Sequence, residues 1–443
     1  MLKMQKLGNW QEAQKELQAD TNNALKYLFQ TKNENKGVLQ NAVFTIKDNI
    51  ATKNAPTTAS SKILEGFQPS YDATIVEKLV QAGALPIAKV NHDELALGGT
   101  GTFSAFGLIT NPLDSQRLVG GSSSGSVATF TKNIAFSLGS DTGDSVRLPA
   151  SYNGVVGFKP SYGAISRYGL FAYASSLDTH AYFTHSVNDA ALVSQVVYGK
   201  DSKDMTSKEV AIANITELKP KKVVALNLSS FVEPYVADAY EKLLDQLKSK
   251  NVEVELVSVN QDILRAIKPV YDIISYSEAS SNLANLNGIA FGNRQDSNNW
   301  ADIMTQTRTK NFGEMVQRRL TLGSFYLYTE NQEKIFIKAQ KVRRVIKNYL
   351  EELQRKGDIL IYPASAAVAP YIDSSKNKSY DFMDYILTGA NLVGNPSLSI
   401  PLAKKDHLPF NLAIDSFLYN DEKLLSHALW VEGVIQNGGN DEK

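Results

Sequence analysis

The sequence predicts an α/β protein, and three observations carry that reading. Apolar runs of strand length alternate with longer stretches of helical periodicity, and the order over 221–259 is strand, helix, strand, as in a parallel pairing. No internal repeat and no linker rich in Pro, Gly and Ser divides the 443-residue chain. In chain order, residues 9–32 are polar with apolar positions at Trp10, Ala13, Leu17, Ala24, Leu25 and Leu28, which predicts a surface helix in an N-terminal helical arm over 1–40. Residues 42–46 read as a buried strand that runs into Lys47-Asp48-Asn49, 71–83 as a helix and 84–90 as the next strand. Further on, 221–228 and 252–259 read as strands around a helix at 232–250, helices dominate 262–356, and 359–362, 396–401 and 410–417 are strand candidates. One domain is expected over 41–436, with a helical and βαβ subregion at 190–360 and a flexible tail at 437–443.

Composition narrows the function. Forty-six basic residues balance forty-six acidic ones, so the chain lacks the basic excess with which a protein grips nucleic acid unaided. With no cysteine, disulfides, thiolate metal sites and cysteine nucleophiles are excluded. The five histidines His92, His180, His185, His407 and His427 form no metal-binding pattern, so no metal site is expected. The N-terminal residues carry no apolar signal segment and no run is long enough to span a bilayer, which points to a cytoplasmic protein without membrane contact.

Chemistry concentrates between about residues 98 and 179, where GGTGTFSAFG, GGSSSGS and GSDTGDS follow one another among apolar segments. A flexible linker has no use for Val146, Leu148, Val155, Val156 and Phe158 directly after it. Gly121 to Gly125 also satisfies G-x-S-x-G with Ser123 at its centre, but the residues before it are too polar for the strand that a nucleophile elbow requires. With four histidines downstream, composition leaves a Ser-His-Asp triad open.

These segments, GGSSSGS at 120–126, GSDTGDSVRLPASYNGVVGFKPSYGAISRYGL at 139–170 and SSLDT at 175–179, together with FTIKDNI at 44–50, resemble the amidase-signature family. HDELALGGTGTFSAFG at 92–107, SEASSNL at 277–283, FGEMVQRRLTLGSF at 312–325 and DYILTGANLVGNPSLSIP at 384–401 are similar to one branch of it, the A subunits of glutamyl-tRNA(Gln) or aspartyl-tRNA(Asn) amidotransferases. The resemblance implies a large mixed β-sheet covered by helices on both faces. It also implies a Ser-Ser-Lys triad, with Ser145 as nucleophile, Ser122 as the cis-peptide serine that relays the proton, and Lys47 as base. Ser122 and Ser145 are 23 positions apart, one fewer than the family's spacing, which fits a deletion in a helical run around 131–134 and leaves Ser123 as a rival relay. The turn Thr142-Gly143-Asp144-Ser145 is suited to an oxyanion hole of backbone N–H groups. Asp144 stands where the family usually has glycine, and its carboxylate is expected to point to solvent, to Arg147 or to another cation. For a glutamine substrate the resemblance implies Asp384 for the ammonium and Arg319 for the carboxylate, with Arg318 as rival and Tyr271 as a third contact. It further implies no cofactor in this chain, partner B and C subunits that carry ATP and magnesium, and tRNA bound mainly by a partner. The absence of a G-x-x-x-x-G-K-[ST] loop agrees with that division of labour.

Overall fold

The computed structural model describes residues 2–33 and 35–438. Among these, eleven strands form one sheet: β1 (Leu25–Leu28), β2 (Val43–Lys47), β3 (Leu85–Val90), β4 (Phe136–Asp141), β5 (Val156–Lys159), β6 (Thr179–Thr184), β7 (Lys222–Leu226), β8 (Glu253–Val257), β9 (Ile359–Pro363), β10 (Ser397–Lys405) and β11 (Leu408–Asp415). Their order in space is β1-β3-β2-β4-β6-β5-β10-β11-β9-β7-β8. The sheet is mixed. Strands β3, β2 and β4 are parallel, as are β8, β7 and β9, whereas the pairings that join these two groups through β6, β5, β10 and β11 are antiparallel.

The helices are α1 (Trp10–Gln18), α2 (Thr74–Gln81), α3 (Ser124–Ala128), α4 (Arg147–Asn153), α5 (Val187–Val197), α6 (Pro234–Ser249), α7 (Gln261–Arg265), α8 (Ile267–Asn282), α9 (Trp300–Asn311), α10 (Glu314–Leu327), α11 (Thr329–Gln332), α12 (Lys338–Gln354), α13 (Gly389–Val393) and α14 (Asp421–Gly438). They cover both faces of the sheet, and the period-2 alternation of the strands shows how. In β9, Ile359 and Ile361 join the core packed by α2, α5, α6 and α14, while Leu360 and Tyr362 join the core packed by α8, α10, α12 and α13. In β2, Phe44 and Ile46 face the first of these cores, which turns Thr45 and Lys47 to the opposite face. Lys47 is therefore aimed away from the packed apolar layer by strand geometry alone.

The N-terminal segment differs from the predicted continuous helix. Helix α1 stops at Gln18, and Leu25–Leu28 instead pairs antiparallel with β3 as an edge strand. Trp10, Ala13 and Leu17 dock α1 on Val43, Leu85, Ile87 and Val90. Residues 131–134, expected to continue a helix, form a turn after the five-residue α3, a place where the chain shortens at little cost. Of the predicted tail, 437–438 belong to α14 and 439–443 lie outside the described residues.

Phe44 is fully buried and stacks on Phe136 with ring centroids 4.9 Å apart. Phe44→Ala is expected to lower stability to denaturant by about 3–5 kcal/mol through lost burial and the cavity left behind. A loss below about 1 kcal/mol would show that this layer does not hold the sheet.

Candidate active site

Parallel pairing of β2 with β4 brings their C-terminal ends to the same edge of the sheet, where binding sites form in open α/β sheets. Lys47 ends β2 and Asp141 ends β4. Strand β6 runs against β4 with Thr179 opposite Asp141, which places Asp178 at the same edge. The site is built from these strand ends and the two glycine-serine segments that follow them.

Lys47 is fully buried, and its Nζ donates to Ser122 Oγ at 2.7 Å, Ser140 Oγ at 2.9 Å, Ser123 Oγ at 3.1 Å and the Ser140 carbonyl at 3.5 Å. No carboxylate among the described residues touches it. Burial lowers its pKa to about 7, against the more distant pull of Asp93, Asp141 and Asp178. A lysine in this state offers a lone pair near neutrality.

The two rival serines both reach Lys47 and differ in their other contacts. The peptide bond before Ser122 is cis, and Ser122 makes the shortest contact with Lys47. Ser123 accepts more weakly, and its hydroxyl donates to the Ser140 carbonyl at 3.1 Å. Ser145, at 5% exposure, lies in the turn between β4 and α4, and its carbonyl accepts from Ser123 N–H at 3.1 Å, which ties the two segments together. No direct hydrogen bond joins the hydroxyls of Ser122 and Ser145 among the described residues.

A buried brace fixes the turn. The guanidinium of Arg147 pairs with Asp141 at 2.9 Å and also donates to the carbonyls of Gly143 and Leu387, to Ser397 Oγ and to Asn391 Oδ1. Burial pushes the Asp141 carboxyl up, but Arg147 outweighs it and holds it below the ordinary value. Thr142 Oγ1 donates to Asp178 Oδ1 at 2.7 Å, and Asp178 also accepts from the N–H groups of Tyr173 and Ala174. Between these anchors, the N–H groups of Gly143, Asp144 and Ser145 have no acceptor among the described residues. They are free to face one point, as an oxyanion hole requires. Gly143 has a steric reason: a Cβ there would meet the ring of Tyr271 at 3.0 Å.

That contact sets Tyr271, on α8, over the turn. Arg319, on α10, donates to the hydroxyl of Tyr173 at 3.1 Å and lies over the rings of Tyr173 and Tyr276. Its Nε is buried without a partner, and no carboxylate pairs with it among the described residues. Arg318, one position earlier, is exposed. Asp384 is exposed too, and its carboxylate accepts from Ser379 Oγ and from the N–H of Tyr380 in its own loop.

Asp144 departs from expectation. Arg147 is committed to Asp141 and does not receive it, and the half-buried Asp144 carboxyl accepts no hydrogen bond among the described residues. Burial and the nearby Asp141 push its pKa up to about 7, while Arg147, Lys268 and Arg319 pull the other way. Among the described residues no histidine ring is hydrogen-bonded to a serine hydroxyl, as a Ser-His-Asp triad would require. His180 is buried with both ring nitrogens unpartnered, while His185 and His427 bond to the carbonyls of Ile134 and Leu218. Sequence reasoning missed Ser140, Asp178, Asn391 and Tyr173. The signal for Asp178 was present in SSLDT, where an acid closes a serine-rich turn before an apolar strand.

Known proteins give this arrangement its context. The Amidase family model matches residues 5–425. The glutamyl-tRNA(Gln) amidotransferase A subunit of Nostoc punctiforme is 39% identical over 413 residues, 89% of this chain and 84% of that protein. The protein of that name from Mycoplasma genitalium is 38% identical over 427 residues, 91% of this chain and 88% of its own length. A crystal structure of the glutamyl-tRNA(Gln) amidotransferase A subunit from Thermotoga maritima superposes with a TM-score of 0.79 at 33% identity, covering 96% of this chain and 90% of that one. With a matching fold, a family match over nearly its whole length and relatives of this similarity, the chain belongs to the amidase family.

Proposed function

We propose that this chain is the glutaminase component of a tRNA-dependent amidotransferase, and that it works through Lys47, Ser122 and Ser145. The observation that carries the proposal is the buried Lys47 amine, hydrogen-bonded to Ser122 at the edge of the sheet where Ser145 stands. The relatives' printed name and the multi-subunit assembly it denotes support the wider role.

An amide needs an activated nucleophile, a stabilised oxyanion and a proton for the leaving amine. Neutral Lys47 takes the proton of Ser122, and Ser122 takes that of Ser145 as bound substrate draws the two hydroxyls together. Ser145 Oγ then attacks the side-chain amide carbon of glutamine. The N–H groups of Gly143, Asp144 and Ser145, with the turn begun by Thr142, receive the oxyanion. When the C–N bond breaks, the relay runs backwards and the nitrogen leaves as ammonia with a glutamyl ester on Ser145. Water, deprotonated by the same relay, hydrolyses the ester to glutamate. Arg319 holds the substrate carboxylate against the rings of Tyr173 and Tyr276, and Tyr271 forms the wall above the turn.

The released ammonia converts Glu-tRNA(Gln), or Asp-tRNA(Asn), on partner B and C subunits that bind ATP, magnesium and most of the tRNA, in the cytoplasm. Balanced charge agrees with tRNA held elsewhere. No described helix is long and apolar enough to cross a membrane.

Ser145→Ala is expected to lower glutamine hydrolysis by the assembled complex by about 10⁴-fold or more, and Ser122→Ala by about 10²–10⁴-fold. A glutamine analogue that acylates the enzyme should label Ser145 by mass spectrometry, and the label should vanish in Ser145→Ala. Undiminished turnover in Ser145→Ala would overturn the assignment. Hydrolysis of simple amides without glutamine turnover would point to a free-standing amidase, and failure of the complex to acylate at all to a silent scaffold.

The pH dependence follows from Lys47. Its pKa is lowered to about 7, so the active neutral amine is lost as pH falls through that value. The kcat/KM for glutamine is expected to fall about tenfold per pH unit below about 7 and to level off above it. A profile flat from pH 5 to 9 would remove lysine as the base.

A further inference from the structure

We propose that a cavity of about 590 Å³ beside the reaction centre is a binding site for an uncharged, largely aromatic molecule that donates one hydrogen bond to Oδ1 of Asn49. The inference goes beyond the glutaminase reading and does not depend on it, because it concerns binding alone.

The cavity lies where the turn after β2, the 59–67 segment, Phe171 and the chain leaving α8 meet. Its depth is apolar: Ile63, Leu64, Leu95, Leu283 and Leu286 are buried side chains of one hydrophobic core. At its mouth stand Phe67 and Phe291, 44% and 61% exposed. Exposed rings around an apolar hollow mark a ligand site, and the volume is within the roughly 300–1,000 Å³ of small-molecule sites. None of Ser122, Ser145, Tyr271 and Arg319 lines it, so it is separate from the place where the nucleophile stands.

Asn49 supplies the polar feature. It is 2% exposed and lies on the cavity wall, and its two amide atoms are in different states. Nδ2 donates to Ser140 Oγ at 3.1 Å, while Oδ1 has no partner. Among the described residues it is the one buried side-chain atom on this wall that lacks a partner. Buried polar atoms are nearly always satisfied, so this acceptor calls for a donor. A lone water serves poorly, since it needs two to four polar partners and the fully buried part of the wall is otherwise apolar. An N–H on an aromatic frame meets both demands. The N–H of Phe171 donates to the Asn49 carbonyl at 2.9 Å, which fixes the aromatic wall relative to the amide.

Charge narrows the class further. No cation lines the cavity, and its one carboxylate, Glu65, is exposed at the mouth. An anion would meet repulsion there and no counterion inside, which selects a neutral ligand. The bound molecule sits two hydrogen bonds from the Lys47 amine, through Asn49 and Ser140, without touching either serine of the proposed relay.

The test measures binding of two probes of the same shape to the full chain by fluorescence: 2-phenylindole, which carries an N–H, and 2-phenylbenzofuran, which has a ring oxygen in its place. Neither contains a bond that an amidase cleaves, so binding is read without turnover. 2-Phenylindole is expected to bind at one site with a dissociation constant below about 0.1 mM. 2-Phenylbenzofuran should bind about five- to tenfold more weakly, the worth of one hydrogen bond to a buried acceptor. Asn49→Leu should bring the two constants within about twofold of each other. Phe291→Ala, at an exposed position where folding is not at stake, should weaken both probes by about fivefold or more and keep their ratio. That second variant decides the matter if Asn49→Leu does not fold. A parent that binds neither probe, as a cavity holding only water would, or binds both equally overturns the inference. So does an unchanged ratio in Asn49→Leu, or an unchanged affinity in Phe291→Ala. Each of these results leaves the glutaminase reading intact.

Discussion

Removing an amine from water without giving it a carboxylate in contact is costly, because the charged form loses its hydration and gains only neutral acceptors. Lys47 is held in this state by three serine hydroxyls and a carbonyl, and the surrounding structure serves to keep it there. The contrast with the other buried lysines is instructive. Lys89 is as buried but touches Asp48 at 3.3 Å, and it settles at about 8. Lys159 is lowered to about 7, as Lys47 is, yet among the described residues its amine meets only the carbonyl of Pro160 and has no hydroxyl to deprotonate. A shifted pKa therefore does not mark a base by itself; what sets Lys47 apart from Lys159 is its shell of hydroxyls.

Holding that shell in place is the work of the sheet edge. Because β2 and β4 are parallel and in register through Phe44, Thr45 and Ile46, Lys47 and Ser140 arrive at the same height. Strand β6 brings Asp178 to that edge from the opposite direction, and β10 begins there with Ser397. The Arg147 brace joins the turn that carries Ser145 to β4, to Ser397 at the start of β10 and to α13 through Asn391. Such a buried, fully hydrogen-bonded charge pair fixes geometry more than it adds net stability. The result is a turn in which the N–H groups of Gly143, Asp144 and Ser145 stay open to a ligand, while their carbonyls accept from Arg147, Leu148 and Ser123.

Much of this was legible before the structure. Strand-helix alternation carries the class because each strand is a compact apolar run, and the Val43, Phe44, Ile46 pattern already placed Lys47 at the end of a buried strand. Strand β1 was not legible, since four half-buried residues show neither period 2 nor an apolar run, and their spacing from Trp10 imitates a helix. Ser140 and Asn391 as parts of the site were hidden because their roles depend on contacts between segments far apart in sequence. Asp144 was singled out from the motif, but its surroundings come from α8 and α10, and no local pattern announces that Arg147 is already taken. Sequence thus named candidate reacting groups, while the pairing state of each charge required the fold.

The central claim is that the Lys47 amine titrates near neutrality, so that a substantial fraction is neutral at working pH, and it is most directly tested by NMR titration of its side chain. Lysine carrying ¹³C at Cε, with the Lys47 resonance assigned by its loss in Lys47→Met, reports the protonation of that one amine. The structure predicts a midpoint near 7. A midpoint at the ordinary 10.5 would contradict the account, because the amine would then be an ammonium at neutral pH and unable to accept the proton of Ser122.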